Sequence, residues 1–556
     1  MLEITKIDNT FKSGYKNKRD CFDLIMDYLL SDNKESKVCA IFGLRRTGKT
    51  VLMKQCIENL PENVKNTAEL ITCNINTDFY EIANHINEQI DNGYKYFFID
   101  EITYSKNFQE LGEILSDQFV SIKDARIVIT GTDSLGLILP AATNMYDRVM
   151  FVNTTYTPFS EYSRLVNCNS IDEYIKKGAV LNYDTTPFIE YKNYEEYVRT
   201  AIVSNIINSI KKSEGTRKYP AALTELYRQE ELENAIQRMI NKYSQEITLN
   251  SLREQISIPP LNASVKLIAN DSSSPDLSIL KNIDIEKVCN KAAELLGIIQ
   301  NKELKITLTK EHETQLKDFL KEIDVVTEIP VISSYEDKNF TNSIEMFSHP
   351  GMYHANIHYL LNELKNNDNW LPEATTEQKK NLLAKTENWI LGTITENCII
   401  NDVYRCISRK NVQKDDIFSE NTGRWYVSKL RVSKKITGDY DHEVDLIIFD
   451  KKYKETFLFE IKHSIENVPQ QSKHIENENF IKYIEDNFGK IKYCAVLYNN
   501  NNDFSTKIPR ISSKSFLNAI YKQKKLNEFS MNKVIEDLKE NKIQKKSKSY
   551  DDDWER

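Results

Sequence analysis

Five short runs of apolar residues recur in the first third of the chain. They lie at Val38–Phe42, Leu70–Cys73, Tyr94–Ile99, Arg126–Ile129 and Val149–Val152. Segments with helical spacing of apolar residues lie between most of them, and residues 1–33 are also predicted to be mostly helical. Short buried strands that alternate with helices are typical of a mainly parallel sheet with helices on both faces. The pattern therefore predicts an α/β domain over residues 1–165.

A glycine-containing polar loop joins the first run to a helix predicted over Lys49–Leu60. Its spacing is G-x-x-x-x-G-K-[ST], which is typical of a loop whose backbone N–H groups wrap a phosphate. Lys49 is expected to contact the β- and γ-phosphates of ATP, and the Thr50 hydroxyl to hold Mg²⁺. A chance glycine turn is the alternative. The residues predicted to line the loop are Gly43, Leu44, Arg45, Arg46, Thr47, Gly48, Lys49 and Thr50.

The third apolar run ends in two acidic residues. Asp100 is expected to bind Mg²⁺ at the carboxyl end of a central strand, and Glu101 to polarise the attacking water as a general base. A helix N-cap is the alternative interpretation of this pair. Thr130 and Thr132 end the next strand, where they either contact the γ-phosphate or mark a plain turn. For Arg19, an exposed position is favoured over a nucleotide contact.

These features resemble bacterial and archaeal AAA-type ATPases whose phosphate loop reads G-x-R-R-x-G-K-T. The segment Thr157–Tyr162 resembles a later Pro-(Leu/Phe)-Ser-Phe-x-Glu-(Phe/Tyr) block of that family, shortened by two residues. The resemblance implies a P-loop NTPase sheet of the AAA (ASCE-like) type. It also implies that an arginine ahead of the block, here Arg148, acts on the nucleotide of a neighbouring subunit. A surface pair with Asp147 explains Arg148 equally well.

Residues 166–370 are predicted to be a mostly helical middle region. Ile256–Asp276 is rich in Pro and Ser and is predicted to be a linker or long loop. A helix is predicted over Asp284–Ile299, followed by a wing strand at Lys305–Leu308. The run Glu294–Ile299 resembles the end of a winged-helix unit, for which packing as a lid is favoured over DNA binding. His349, His354 and His358 follow or flank a Pro-Gly turn, and a helix start is favoured over a metal site there.

The pattern changes again over residues 371–540. A helix at Thr386–Ile407 carries Glu396, and four strands are predicted at Trp425–Lys429, Val444–Phe449, Thr456–Ile461 and Tyr493–Tyr498. Asp445 begins the second of these strands, while Glu460 and Lys462 end the third. Alternation places Glu460 and Lys462 on one face, and a hairpin brings Asp445 beside them. Two carboxylates there bind a divalent metal, with the lysine near its water; ion pairs on a plain hairpin are the alternative.

This constellation resembles the PD-(D/E)xK nuclease core. Asp445, Glu460 and Lys462 match its motif positions, Glu396 matches the acid of its first helix, and Val444 stands where the motif name has proline. The resemblance implies a Mg²⁺-dependent nuclease. Further contacts to nucleic acid are expected from nearby polar and basic residues, which are Gln471, Lys473, His474 and Lys482.

Composition limits the partners of this protein. The 556 residues carry a net charge of −8, so contacts to DNA must come from local basic patches. Charged and hydrophobic contents of 28% and 40% are those of an ordinary globular protein. The nine scattered cysteines suggest a reducing compartment, and no signal peptide or membrane span is predicted, so a cytoplasmic location is expected. Residues 541–556 are predicted to be a disordered tail.

Together these patterns predict an ATP-binding and ATP-hydrolysing protein that controls a metal-dependent nuclease, acting in DNA processing or defence. DNA and either a second copy or a partner protein are the expected partners. The alternative is a non-catalytic, ATP-driven switch whose C-terminal domain only holds nucleic acid or a partner. A component of a mobile element or a toxin–antitoxin pair would use the same parts.

Overall fold

Two β-sheets flanked by helices organise the molecule. The computed structural model describes residues 2–540 with the exception of residues 32–36, 109–112, 132–133, 135–136, 138–147, 179, 182–190, 213–220, 258–283, 301–307, 336–337, 409–423, 439–440, 464–476 and 525–528.

The first sheet has six strands in the order β1-β3-β4-β5-β2-β6. Their bounds are Glu3–Lys6, Ala68–Thr72, Tyr96–Asp100, Arg126–Thr130, Val38–Phe42 and Val149–Asn153, in the same order. All neighbouring pairs are parallel except β1 with β3. The inner strands are apolar and buried because helices cover both faces. The predicted α/β architecture with a mainly parallel sheet is confirmed.

Residues 1–33 differ from the mostly helical prediction. Glu3–Lys6 forms an exposed edge strand, and its four residues pair antiparallel with β3. The helix is limited to Phe22–Leu30, whose buried residues pack against the sheet. Glu3–Lys6 is a strand because it pairs with the distant strand β3. The spacing of apolar residues in a sequence does not reveal such a pairing.

Helices α1 and α2 cover one face of the first sheet, and α4 covers the other. The helices with bounds among the described residues of this part include α1 Phe22–Leu30, α2 Lys49–Glu58, α3 Glu62–Lys65 and α4 Phe79–Asp91. A single turn at Ile102–Tyr104 and a wider helical segment at Leu115–Ile122 complete the layer. Strand β2 therefore ends between two helical layers, and the loop of residues 43–48 joins it to α2.

The described residues of the middle region are helical up to Glu322, whereas the last part of the region predicted to be mostly helical, residues 166–370, also contains two strands of the second sheet. The helices up to Glu322 are α5 Phe159–Val166, α6 Ile171–Lys177, α7 Tyr191–Tyr197, α8 Ser204–Lys212, α9 Ala221–Arg228, α10 Leu232–Ser257, α11 Ile285–Gln300 and α12 Lys310–Glu322, with a wider turn at Val198–Val203 between α7 and α8. Helix α11 is the helix expected over Asp284–Ile299. The linker expected at Ile256–Asp276 and the strand expected at Lys305–Leu308 lie almost entirely outside the described residues, so the winged-helix unit stays a prediction.

The second sheet has seven strands in the order β13-β12-β11-β10-β9-β7-β8. Their bounds are Arg510–Ser512, Lys490–Tyr498, Glu455–Lys462, His442–Asp450, Trp425–Val432, Val326–Tyr335 and Lys338–Phe347, in the same order. The β7–β8 hairpin lies ahead of the boundary predicted at residue 371, and β7 pairs in parallel with β9. The sheet thus extends back to residue 326, through a pairing about a hundred residues apart that no local pattern reveals.

One hydrophobic core joins the second sheet to the middle helices and to the phosphate loop. It includes Leu44, Phe159, residues of α10, and residues of α14 and α17. The helices around this sheet are α13 Pro350–Asn366, α14 Thr376–Ser408, α15 Lys434–Thr437, α16 Glu478–Phe488 and α17 Ser513–Lys524, and a further helix covers residues 531–540. None of the described helices has the length and hydropathy needed to cross a membrane.

Candidate functional site

The loop between β2 and α2 has the backbone geometry of a phosphate-binding turn. Gly43 adopts φ +147°, and a Cβ atom there would lie 2.4 Å from Thr154 Oγ1. Gly48 adopts φ +87° and directly precedes α2. Both positions need glycine, because L-residues rarely adopt these angles and the first has no room for a side chain. The loop can therefore present N–H groups, together with the amino end of α2, to a phosphate.

The Lys49 ammonium lies inside this loop. Its Nζ donates to the carbonyl oxygens of Gly43 at 2.8 Å and Leu44 at 2.9 Å. Burial lowers the pKa of Lys49 to about 8, while Glu101 and Asp100 act in the opposite direction. A buried cation beside backbone donors fits a polyphosphate, because the phosphate charge compensates the ammonium.

Two hydroxyl groups contact the Asp100 carboxylate at the end of β4. It accepts hydrogen bonds from Thr130 Oγ1 and, at 3.3 Å, from Thr50 Oγ1. The sheet order explains this contact, since β5, which ends in Thr130, lies between β4 and the phosphate-loop strand β2. Thr50 and Asp100 are thus neighbours, and a hydroxyl oxygen next to a carboxylate fits Mg²⁺.

Glu101 adopts φ +56°, an uncommon angle for a residue with a side chain. Its N–H donates to Thr130 Oγ1 at 3.3 Å, and its side chain is half-buried. It precedes the turn Ile102–Tyr104, but its side chain makes no capping hydrogen bond there. Its charge acts on Lys49, so the carboxylate lies near the phosphate loop. Thr132 lies outside the described residues.

Arg19 is buried, contrary to the expectation of an exposed side chain. Its guanidinium donates to Glu161 Oε1 at 2.6 Å and to the carbonyl of Thr47 at 2.6 Å. Further bonds reach the carbonyls of Thr154 and Tyr156, both at 3.2 Å. Arg19 therefore ties the phosphate loop to the segment around Glu161, and its isolated position in the sequence carries no sign of this role.

The two loop arginines differ in environment. Arg45 is half-buried, and its Nη2 lies 3.5 Å from the Tyr104 hydroxyl. Arg46 is exposed, adopts φ +64°, and its carbonyl accepts a hydrogen bond from the Leu181 N–H at 2.9 Å. The hydroxyl of Tyr197 donates to the Arg45 carbonyl at 3.4 Å. Residues of the middle region thus hold the phosphate loop through the carbonyl groups of its two arginines.

Arg148 lies at the amino ends of the parallel strands of the first sheet, whereas the phosphate loop lies at their carboxyl ends. Arg148 directly precedes β6, where Val149 is in register with Val38, the first residue of β2. Its side chain is exposed and pairs with Asp117. Because β2 runs about 16 Å from Val38 to the loop, Arg148 does not contact the nucleotide site of its own chain. Action on a neighbouring subunit stays a prediction, and Asp147 lies outside the described residues.

Replacing Arg148 by Ala is expected to leave the ATP affinity of the chain unchanged, because only an exposed ion pair is lost. Titration with a fluorescent ATP analogue measures this affinity. Mixing Arg148→Ala protein with Lys49→Ala protein tests action between subunits, since recovered hydrolysis in the mixture requires a shared site. A weaker ATP affinity in Arg148→Ala protein alone would contradict the placement of this side chain.

Strand β10 contains a β-bulge at the first predicted carboxylate. The register with β9 shifts between Val444 and Ile447, so Asp445 and Leu446 together face the single residue Lys429. Bulges re-aim side chains and are frequent beside functional sites. The bulge follows from a two-strand pairing and was not predicted.

The β10–β11 hairpin brings Asp445, Glu460 and Lys462 together, as their spacing suggests. Lys462 Nζ lies 3.2 Å from Asp445 Oδ2 and 3.5 Å from Glu460 Oε2. The Ile461 N–H donates to Asp445 Oδ2 at 2.7 Å. Both carboxylates are buried, and Glu460 Oε1 has no hydrogen-bond partner among the described residues.

Glu396 reaches the same cluster from α14 and pairs with Lys429. Lys429 is buried in the centre of the sheet, between β10 and β7. A buried lysine is rarely tolerated without a paired charge, so the pair stabilises both ions in the interior. Lys429 was not among the predicted site residues, although a lysine in an otherwise apolar strand run was a usable signal.

Burial and the neighbouring Asp445 raise the pKa of Glu396 to about 7, and Lys429 opposes the shift. Burial and Asp445 likewise raise the pKa of Glu460 well above its ordinary value. Crowded, desolvated carboxylates with an oxygen lacking a partner are of the chemical type that binds a divalent cation, but their arrangement in this structure is not a complete metal site. No group of three or more His, Cys, Asp or Glu side chains is arranged to hold a metal ion within the part of the chain that the structure describes.

The remaining predicted contacts fall in two groups. Gln471, Lys473 and His474 lie outside the described residues, whereas Lys482 is exposed on α16. The three histidines do not form a metal centre. His349 is buried at the start of α13, and its Nε2 lies 2.8 Å from the Thr155 carbonyl oxygen. His354 and His358 stack on each other along that helix, with ring centroids 6.0 Å apart. The interpretation of this segment as a helix start is confirmed.

A family model described as an AAA domain matches residues 35–163. The matched part begins just before β2 and ends within α5, so it contains the phosphate loop, Asp100, Glu101 and Arg148. This part of the chain is therefore an AAA-type ATPase domain, a class that binds and hydrolyses ATP, usually with Mg²⁺. A comparison with curated proteins gives no match.

Proposed function

We propose that the protein binds and hydrolyses ATP and that its nucleotide state controls a metal-dependent nuclease site on the second sheet, in DNA processing or in defence against foreign DNA. The observation that carries this proposal is the cluster of Glu396, Asp445, Glu460 and Lys462, which share one buried site. Catalytic carboxylates with raised pKa values and a nearby lysine are typical of functional sites.

The arrangement around the cluster supports a nuclease core. Helix α14 is followed by the antiparallel strands β9, β10 and β11, then by α16 and by β12 parallel to β11. The PD-(D/E)xK fold, which the motif resembles, places its acids and lysine on a helix and on two such neighbouring strands. The likeness therefore extends from the four residues to the elements that position them.

Each residue of the ATPase site has a distinct part in the proposed reaction. The loop N–H groups and Lys49 bind the phosphates and stabilise the charge that develops on them. Thr50 and Asp100 would hold Mg²⁺, which neutralises charge on the β- and γ-phosphates when bound. Glu101 orients the attacking water and accepts its proton.

The second site performs the cleavage step in this proposal. Asp445 and Glu460, with Glu396 in support, would hold a divalent cation, which lowers the pKa of its water when bound. Lys462 lies close enough to both carboxylates to stabilise negative charge on a phosphodiester bound there. Lys429 keeps Glu396 paired within the interior.

A specific observation favours the second candidate, a non-catalytic switch. Each carboxylate of the cluster already faces a lysine: Glu396 faces Lys429, while Asp445 and Glu460 face Lys462. The two lysines offset most of the negative charge of the three carboxylates, so the cluster does not depend on a cation for stability, and the second sheet would then only hold nucleic acid or a partner. Control by ATP is common to both candidates.

Cleavage assays with plasmid, linear and single-stranded DNA, with Mg²⁺ or Mn²⁺ and with or without ATP, test the proposal. Lys462→Ala is expected to retain Mn²⁺ binding and to lose cleavage by about 10²–10³-fold, the usual effect of removing one transition-state charge. Asp445→Ala is expected to lose both. Lys451→Ala, an exposed lysine just after β10, is the matched control. If wild-type protein binds no Mn²⁺ at this cluster and cuts none of the DNA substrates under any nucleotide condition, the switch replaces the nuclease.

A further inference from the structure

One of the two loop arginines is held at both ends. Arg45 is half-buried, whereas its neighbour Arg46 is exposed. The hydroxyl of the buried Tyr197 donates to the Arg45 carbonyl at 3.4 Å. At the other end of the residue, the Tyr104 hydroxyl lies 3.5 Å from Arg45 Nη2. Two tyrosines from different elements therefore define where the backbone and the guanidinium of Arg45 lie.

The contact with Tyr104 places the guanidinium next to the turn that follows Glu101. Tyr104 ends this turn, and its N–H donates to the Glu101 carbonyl at 2.9 Å. Glu101 directly follows β4, whose last residue Asp100 contacts Thr50. The water that Glu101 activates attacks the γ-phosphate, so a group beside this turn lies on the side of the loop where the γ-phosphate binds.

The charge of Arg45 also acts on the Lys49 ammonium. Burial lowers the pKa of Lys49, the two carboxylates near it raise this pKa, and the positive charge of Arg45 lowers it again. Arg45 must therefore lie close to Lys49, because the interaction between charges falls with distance and is screened by water. A phosphate bound by Lys49 is then also a neighbour of Arg45, whose planar guanidinium can donate two parallel hydrogen bonds to it.

We propose that Arg45 is a further catalytic residue of the ATPase, whose guanidinium contacts the γ-phosphate of ATP bound to its own chain. The inference rests on the ATP hydrolysis of the proposed function and names a residue that stabilises its transition state. As the water oxygen bonds to the γ-phosphorus, the bond to the bridging oxygen of ADP breaks, and Glu101 accepts the water proton. Arg45 stabilises the negative charge on the γ-phosphoryl oxygens during this step.

This role differs from the one predicted for Arg148. An arginine in the phosphate loop is supplied by the chain that binds the nucleotide, an arrangement known in other P-loop enzymes. Arg148 lies at the amino ends of the strands and does not contact the nucleotide site of its own chain. Hydrolysis that depends on Arg45 therefore needs no arginine from a second copy.

Arg45→Ala is expected to bind ADP with wild-type affinity and to hydrolyse ATP about 10³-fold or more slowly, the usual effect of removing such an arginine. Arg45→Lys keeps the charge without the planar fork, so it is expected to recover part of the rate. Arg126→Ala is the matched control, because Arg126 begins β5 at the opposite end of the strands and bonds to the Ser31 carbonyl. Phosphate release and a fluorescent ADP analogue measure the two quantities. Equal losses of ADP affinity and rate would assign Arg45 a structural role.

A transition-state analogue tests the contact without turnover. ADP with aluminium fluoride resembles the γ-phosphoryl group in transit, and such analogues bind more tightly than ground-state ligands. Wild-type protein is expected to prefer this analogue over ADP, and Arg45→Ala protein is expected to lose most of the preference. That result together with no ATP hydrolysis in wild-type protein would support the contact and remove the proposed hydrolysis. The same preference in both proteins overturns the inference, whatever the turnover assay gives.

A mixing experiment tests whether Arg45 acts within its own chain. A mixture of Arg45→Ala and Lys49→Ala protein is expected to show no recovery of hydrolysis, because every chain lacks one essential group of its own loop. Recovered hydrolysis in the mixture would place Arg45 in the site of a neighbouring chain and overturn the assignment.

Discussion

The Glu101→Gln protein is expected to bind ATP with wild-type affinity and to hydrolyse it about 10²–10⁴-fold more slowly, the usual contribution of a general base. Glutamine keeps the shape of the side chain but does not accept a proton from water. The residue directly follows β4, next to the Mg²⁺ candidate Asp100, and its charge reaches Lys49. Binding is measured with a fluorescent analogue and turnover by phosphate release.

Two comparisons make this result specific. Lys49→Ala is expected to lose ATP binding itself, because the buried ammonium inside the loop is removed. Glu88→Gln, an exposed glutamate on α4, is expected to change neither quantity. Wild-type turnover in Glu101→Gln protein would assign activation of the water to another residue.

Local patterns determined much of the ATPase domain in advance. The strand Val38–Phe42 is present with the bounds predicted, and the next helix begins at Lys49 as expected. Each feature depends on neighbours in sequence: an apolar run too short for a helix, then glycines where the backbone needs unusual angles. The same holds for the strands that carry Asp445 and Glu460, which the structure extends by one or two residues at each end.

What the sequence did not reveal depends on pairings between distant segments. Arg19 is buried because four acceptors from the phosphate loop and residues 154–161 converge on it. Lys429 becomes part of the site only through Glu396 on another element and the bulge opposite it. The strand Val326–Tyr335 contains Pro330, and because proline is uncommon within strands, its own residues give a weak strand signal. The strand forms through its pairing with the distant strand β9.

A buried ion pair joins the ATPase domain to the part of the chain that contains the second sheet. Arg405 on α14 makes a bidentate contact with Asp324, at 2.8 and 2.6 Å. Its guanidinium lies 4.1 Å from the centre of the Tyr156 ring, in the segment that follows β6. Asp324 also lies 3.4 Å from the Asn153 amide nitrogen. The pair therefore ties the helix that carries Glu396 to the end of the ATPase sheet.

Replacing Arg405 by Met is expected to lower the free energy of unfolding by about 3–5 kcal/mol, because Asp324 is left as an uncompensated charge in the interior. Both side chains are almost fully buried, so water does not replace the lost partner. Urea unfolding followed by circular dichroism measures the change. Arg431→Met is the matched control, since Arg431 pairs with Glu443 at the surface and such pairs contribute about 0–1 kcal/mol.

A second substitution separates the charge effect from the loss of packing. Asp324 adopts φ +57°, an angle that Asn tolerates better than most residues, so Asp324→Asn removes the charge without straining the backbone. The double variant Arg405→Met with Asp324→Asn is therefore expected to be more stable than Arg405→Met alone. Equal stability of the single and double variants would show that Arg405 acts by packing on Tyr156, and a loss no larger than that of Arg431→Met would remove the ion pair as the tie between the ATPase domain and the part that contains the second sheet.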